Sequence, residues 1–283
     1  MTKRLTLGRI VRDALFWLIV LLIAIYTLFP FYWAIVSSLT SPSLLFSTPV
    51  KYFPTQPTFQ AYVTVFQNEL FRRALLNSAF VSLTTVLLAL AIGSFGAYAL
   101  GRLSFRGKSI VMYTILSMTM FPAIAILGSL FTMVRALGIY NTPWALILTY
   151  LTFSLPFTVW VLSNFFKSLP VELEQAAFVD GATPFQTFRM ILLPLTAPGL
   201  VTTGLLAFIA AWNEFLYALT FTVDARARTV PVAIAYFSGE QQFEIPWADI
   251  MAAAVVVTIP LVVLVLVFQQ RLVEGLTAGA VKG

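Results

Sequence analysis

Apolar residues in this chain come in long runs, and polar residues in short interruptions between them. Ala14 to Val36 carries no charge, and comparable runs follow at Ala74 to Leu100, Ile110 to Val134, about Trp144 to Phe166, about Gly199 to Thr222, and Ile250 to Phe268. Each is near the roughly 20 residues a helix needs to cross a bilayer. The pattern therefore predicts an all-α membrane protein with six transmembrane helices. Pro122 and Pro156 fall inside two of the predicted spans, where neighbouring helices can satisfy the freed carbonyls. Ser37 to Phe71 and Val223 to Trp247 read as exposed loops. One helix-forming stretch, Glu174 to Pro194, is too polar for the membrane.

The start of the chain is basic and then apolar, as in a signal peptide. The apolar run is too long for that, and Pro30-Phe31-Tyr32-Trp33 is no small-residue cleavage site. A retained first span is predicted, with an aromatic belt at its outer end. Gly93, Ser94, Gly96 and Ala97 cluster in the second span, as where helices pack closely in lipid.

Composition agrees with the pattern: 60% of the residues are hydrophobic and 10% charged, against about 25% charged in ordinary soluble domains. The chain has no Cys and no His. Disulfides, Cys or His metal sites and Ser-His catalysis are thereby excluded. The net charge of +6 is explained by basic loops on one side of a membrane, with no need for nucleic acid as a partner. Lys3, Arg4, Arg9, Arg12, Arg102, Arg106, Lys108, Lys167, Arg189, Arg271 and Lys282 share the side of the N-terminus. Lys51, Arg72, Arg73, Arg135, Arg226 and Arg228 fall on the other. That bias puts both termini and the polar stretch in the cytoplasm.

The polar stretch predicts a helical hairpin. Pro170 suits a first helical turn, where Glu172 and Glu174 favour the positive end of the helix dipole. Leu173, Ala176, Ala177 and Asp180 keep helical spacing, and Gly181 ends the helix. Thr183, Pro184 and Gln186 form a capping box for a second helix, which runs to about Leu193 before Pro194 and Pro198 stop it. Ala176, Ala177 and Gly181 leave one flank open to close approach by another backbone. These residues allow two readings: a docking element, or an amphipathic hairpin lying on the bilayer surface.

Here the chain resembles a known family. Ala176 and Ala177, then Gly181, then Ile191, Leu193 and Pro194 match the spacing of the EAA loop of ABC-importer permeases. One departure is that the motif's Glu falls on Gln175, with Glu174 just before it. The tail Gly275 to Gly283 (GLTAGAVKG) and Trp212-Asn213-Glu214-Phe215 resemble the second permease subunit of maltose/trehalose-type sugar importers. The likeness runs from about Phe71 onward and is weak over Ser37 to Leu70.

The resemblance implies the type I ABC importer permease fold in the cell membrane. It divides the chain into residues 1–70 (tail, first helix, first external loop), a transport domain 71–270 with its EAA loop at about 168–195, and a tail 271–283. It implies that Glu174, Gln175, Ala176, Ala177, Asp180, Gly181, Ile191, Leu193 and Pro194 couple to a separate ATPase. It also implies that Gly275, Leu276, Thr277, Ala278, Gly279, Ala280, Val281, Lys282 and Gly283 reach into the ATPase dimer. Ser238, Gly239, Glu240, Gln241, Gln242 and Phe243 would touch a solute-binding protein. The implied partners are a second permease, two ATPase subunits, a solute-binding protein and a sugar. ATP and Mg belong to the ATPase subunits, and no cofactor is implied for this chain.

Gly101 to Ser109 (GRLSFRGKS) resembles a P-loop, but five residues separate Gly101 from Gly107 and the segment joins two spans instead of a strand and a helix. Arg102, Arg106 and Lys108 read as topology-setting charges. Glu214 is the one carboxylate inside a predicted span, a costly position that usually faces the bundle interior. With Trp212 and Asn213 it offers sugar-binding chemistry; the reading favoured by the residues is a helix-end acid held by a neighbouring span. Tyr150, Phe153, Phe157 and Trp160 suit packing or belt roles. A secondary transporter needs midplane coupling carboxylates, and an intramembrane enzyme would need a carboxylate pair; one Glu serves neither.

Overall fold

A computed structural model describes residues 7–237 and 245–278. Among the described residues every regular element is a helix. They fall into two compact units, drawn from Met1–Asn68 with Phe237–Thr258 and from Glu69–Tyr236 with Ile259–Gly283.

In the first unit, α1 (Leu7–Ser38) is a single long helix, and its apolar side chains stay exposed, Tyr26 at 82%. Exposure of this kind suits a helix whose solvent is lipid. At its end Phe29 stacks on Trp33, while Tyr32 and Trp33 meet Phe53 and Tyr52 edge to face. The loop after α1 holds a turn, Pro42–Leu45, and a helix α2 (Gln60–Gln67) that buries Ala61 and Val65. The expected exposed loop therefore has a packed element of its own.

The second unit is built on α3 (Glu69–Arg102), which is followed by α4 (Lys108–Thr119), α5 (Ala123–Ala136) and α6 (Pro143–Ser168). Small residues let α3 and α6 approach closely, as the Gly93 cluster predicted. A Cβ placed on Gly93 would stand 2.6 Å from the Thr158 methyl, and one on Gly101 would stand 2.7 Å from the Phe166 Cβ. The core beside them gathers Val81, Val134, Leu146, Tyr150, Ala211, Tyr217 and Phe221.

Two predicted spans are broken. Ile110 to Val134 is not one helix: α4 and α5 meet at 95°. Pro122 has no N–H to donate and disfavours helix in the residue before it, and its own ψ of 125° is extended. Pro156, by contrast, sits inside an intact α6 packed on α3. Gly199 to Thr222 is also divided, into α9 (Ala197–Trp212) and α10 (Leu216–Phe221), after the hairpin helices α7 (Glu172–Val179) and α8 (Pro184–Thr187). The predicted loop Val223 to Trp247 contains α11 (Val230–Ala235), with Val230 and Val232 buried. The last helix, α12, runs Trp247–Ala278. Among the described residues four helices are long and apolar enough to cross a membrane, or up to six if each bent pair counts as one span.

Candidate functional site

The predicted hairpin forms, and its turn is closed by its own backbone. The Ala182 N–H donates to the Ala177 carbonyl (2.9 Å) and the Gly181 N–H to the Phe178 carbonyl (3.1 Å). These are the two bonds of a Schellman turn. Gly181 occupies the left-handed position the turn requires, φ 82°. Thr183 accepts from the Gln186 N–H at 3.3 Å, and the Gln186 Oε1 accepts from the Thr183 N–H at 2.8 Å, completing the capping box.

Pro194 does not stop the second helix. The chain runs from α8 through a π turn, Phe188–Leu192, to Leu195, and only then bends by 72° into α9. Widening the turn just upstream of a proline is one way to relieve the clash between its ring and the carbonyl four residues earlier. Phe188 and Leu192 are buried against Ala97, Leu162 and Phe166.

The hairpin shows its tip outward. Gln175, Ala176, Asp180 and Gly181 are exposed, and Ala177 is buried. Among apolar side chains Val179 is 88% exposed, with Phe178 and Phe185 about half exposed. Ile191 and Leu193 are half-buried and Pro194 is exposed. Glu174 does more than favour a helix dipole. Its Oε2 accepts from Nε and an Nη of Arg102, at 2.8 and 2.5 Å. The remaining Nη of Arg102 donates to the Leu169 carbonyl at 2.8 Å. Sequence reasoning assigned Arg102 to topology; nothing local marks it as a partner for a residue 72 positions away.

Of the residues weighed for a substrate path, Trp212 is 3% exposed and stacks on Phe208. Asn213 is exposed, its amide donating to the Ile209 carbonyl. The Glu214 carboxylate accepts from the Tyr217 N–H (2.7 Å) and the Ala218 N–H (3.0 Å), so it caps the start of α10 just after the break that follows α9. The Tyr217 hydroxyl in turn donates to the Ala123 carbonyl, 3.3 Å away, at the α4–α5 bend. Beside that bend lies an open cleft of about 270 Å³, lined by Ser117, Met118, Phe121, Ile126 and Thr152.

The P-loop likeness finds no support: Gly101 is inside α3, Gly107 caps α4, and Lys108 Nζ donates to the Leu103 carbonyl. The loop after α10 is pinned instead of free. Asn77 donates to the Ala225 and Arg228 carbonyls (3.1 and 3.0 Å), and Asn141 donates to Asp224 Oδ2 at 3.1 Å. Arg226 donates to the same Asp224 oxygen at 2.8 Å. The Arg226 contacts, with Asn141 adding to them, hold the Asp224 carboxyl well below the usual carboxylate range. Ser238 to Phe243 lies outside the described residues. Gly275 to Ala278 continues α12, and Gly279 to Gly283 also lies outside them.

A capped, outward-facing hairpin set among apolar helices long enough to cross a bilayer defines a polytopic membrane protein. The chain belongs to the family described as binding-protein-dependent transport system inner membrane component, whose profile matches residues 89–277. It is 46% identical to the trehalose transport system permease protein SugB of Mycobacterium tuberculosis, over 96% of this chain and 99% of that one. It is 45% identical to the trehalose/maltose transport system permease protein MalG of Thermococcus litoralis, over 93% and 94%. Among solved structures, a bacterial ABC transporter involved in import of the acidic polysaccharide alginate superposes with TM-score 0.82 at 22% identity, over 95% of this chain and 99% of that chain. The fold is that of a type I ABC importer permease, in the inner membrane.

Proposed function

We propose that this chain is the second membrane subunit of an ATP-driven, binding-protein-dependent importer of a maltose/trehalose-type disaccharide or oligosaccharide. The observation that carries the reading is the exposed tip Gln175–Gly181, held rigid by a Schellman turn and a capping box. The names of its relatives, trehalose and trehalose/maltose permeases, support the sugar class.

In this reading the chain is not an enzyme. Two partner subunits bind ATP and Mg and hydrolyse the nucleotide. Both termini and the hairpin face the cytoplasm. Gln175, Ala176, Asp180 and Gly181, backed by the buried Ala177, seat in a cleft of one ATPase subunit, with Glu174, Ile191, Leu193 and Pro194 carrying the motion into the helices behind them. Gly275 to Gly283 reaches the ATPase dimer, and Ser238 to Phe243 meets the solute-binding protein outside. A second permease supplies the other half of the path, and Trp212, Asn213 and Glu214 belong to this half. ATP shifts the permease only through a difference in contact between its two states. Taking such an equilibrium from 1:99 to 99:1 requires about 5.5 kcal/mol, which a rigid hairpin transmits and a loop floating on lipid does not.

The test is reconstitution of the chain with its partner subunits and binding protein in vesicles. Uptake of labelled trehalose or maltose should require ATP. Uptake driven by an ion gradient without the ATPase subunits would establish the competing reading, a secondary transporter.

A further inference from the structure

The hairpin has two legs, and they are fastened differently. The second leg is anchored by apolar contact: Phe188 and Leu192 sit in a cluster with Ala97, Leu162 and Phe166. The first leg, α7, follows α6 through the short joint Leu169–Val171, and Leu169 is extended (ψ 139°). A joint of this kind flexes unless something spans it.

Arg102 spans it. Its side chain is 8% exposed and that of Glu174 12%. The guanidinium reaches Glu174 through Nε and one Nη, the Leu169 and Phe166 carbonyls through the other Nη (2.8 and 3.4 Å), and the Pro170 carbonyl at 3.4 Å. One planar group thus joins the last turn of α6 to the first turn of α7, in a fork geometry that an ammonium cannot reproduce. It places a cation at the C-terminal end of α6, where the helix dipole favours one. The base of the fork is itself fixed, because Gly101 packs tightly on Phe166. A nearly buried ion pair adds little net stability, since desolvation offsets the attraction. Its worth here is geometric.

We propose that Arg102 and Glu174 form a strut that makes α7 move as one body with α3 and α6, and so are positioning residues for coupling. The inference rests on the docking reading above and assigns to this pair the transfer of motion, as distinct from contact with the ATPase. The chain has no Cys, so Val179→Cys can carry a single photo-crosslinker at the exposed tip. In the reconstituted complex, Glu174→Gln and Arg102→Gln should keep the crosslink to the ATPase subunit. Each should move at least about fivefold less sugar per ATP hydrolysed, the lower end of ordinary coupling energies. The double variant should lose no more than the worse single variant, because both break one contact. Glu174→Gln leaves the carbonyl contacts of Arg102 in place and so guards against a mere folding failure. A crosslink retained with a wild-type sugar-to-ATP ratio, or losses that multiply, overturns the strut alone. No crosslink with the pair intact overturns the docking reading, and the strut with it.

Discussion

Gly181 offers the sharpest separation of backbone from contact. Its φ of 82° lies in the left-handed region, where an ordinary L-residue costs about 1–2 kcal/mol. That is a factor of roughly 5 to 30 in the population of the closed turn. A Cβ added there meets nothing within 4 Å, so within this chain the size of the new side chain is immaterial. Gly181→Ala and Gly181→Leu should therefore lower the thermal stability of the purified permease equally, while Gly181→Asn, which tolerates the left-handed region, stays near wild type. Docking changes the order. Leu must displace whatever lies against the flank of Ala176 and Gly181, so it should abolish co-purification of the ATPase subunit, whereas Ala weakens it only by the turn factor. If Leu and Ala retain the ATPase alike, the demand on Gly181 is purely conformational and close approach of a partner at this flank is refuted.

Three further outcomes follow from the same geometry. Deleting Gly275 to Gly283 should leave membrane insertion intact and reduce ATP-driven uptake; unchanged uptake would remove any working role for the tail. Glu214→Ala should cost about 1–3 kcal/mol by stripping the Tyr217 and Ala218 N–H groups of their acceptor. Thermal unfolding would read the loss, with Glu214→Gln nearer wild type, and an Ala variant melting like wild type would dismiss the cap. The Asp224 carboxyl is held low by Arg226. The contact is therefore fully formed above the ordinary Asp value of about 3.9 and is lost only as pH falls through the lower folded value. Thiol labelling of Ala227→Cys, at a fully buried position of the same loop, should show a loop equally protected from pH 8 to pH 5, and Arg226→Ala should move its opening to higher pH. A variant that opens at the same pH would contradict this.

What could be read from the sequence was what is local. A charge-free run states its own length, and the Thr183–Gln186 box and Gly181 turn are written within four residues. The features that escaped depend on what lies across the fold. Pro122 and Pro156 look alike in the chain, yet one marks a break at an exposed site and the other lies inside an unbroken helix that packs on α3. Pro194 signals a stop that a π turn absorbs. Glu214 reads as a helix-end acid held by a neighbouring span, and its partners are instead the first N–H groups of the next helix in the chain, α10. Arg102 looked like one more basic residue near a membrane surface, because its partner is remote in sequence. The hairpin was legible as structure, and the means by which it is fastened was not.

The turn has one more consequence. From Asp180 to Thr183 every backbone N–H donates within the hairpin itself. Over these residues a partner is thus offered no main-chain donor; it meets contour, a few apolar side chains, the Gln175 amide and the Asp180 carboxylate. An element recognised by outline is interchangeable. One ATPase could serve several permeases whose spans differ widely, provided each carries a plug of the same profile, and selectivity among sugars could diverge without renegotiating the motor.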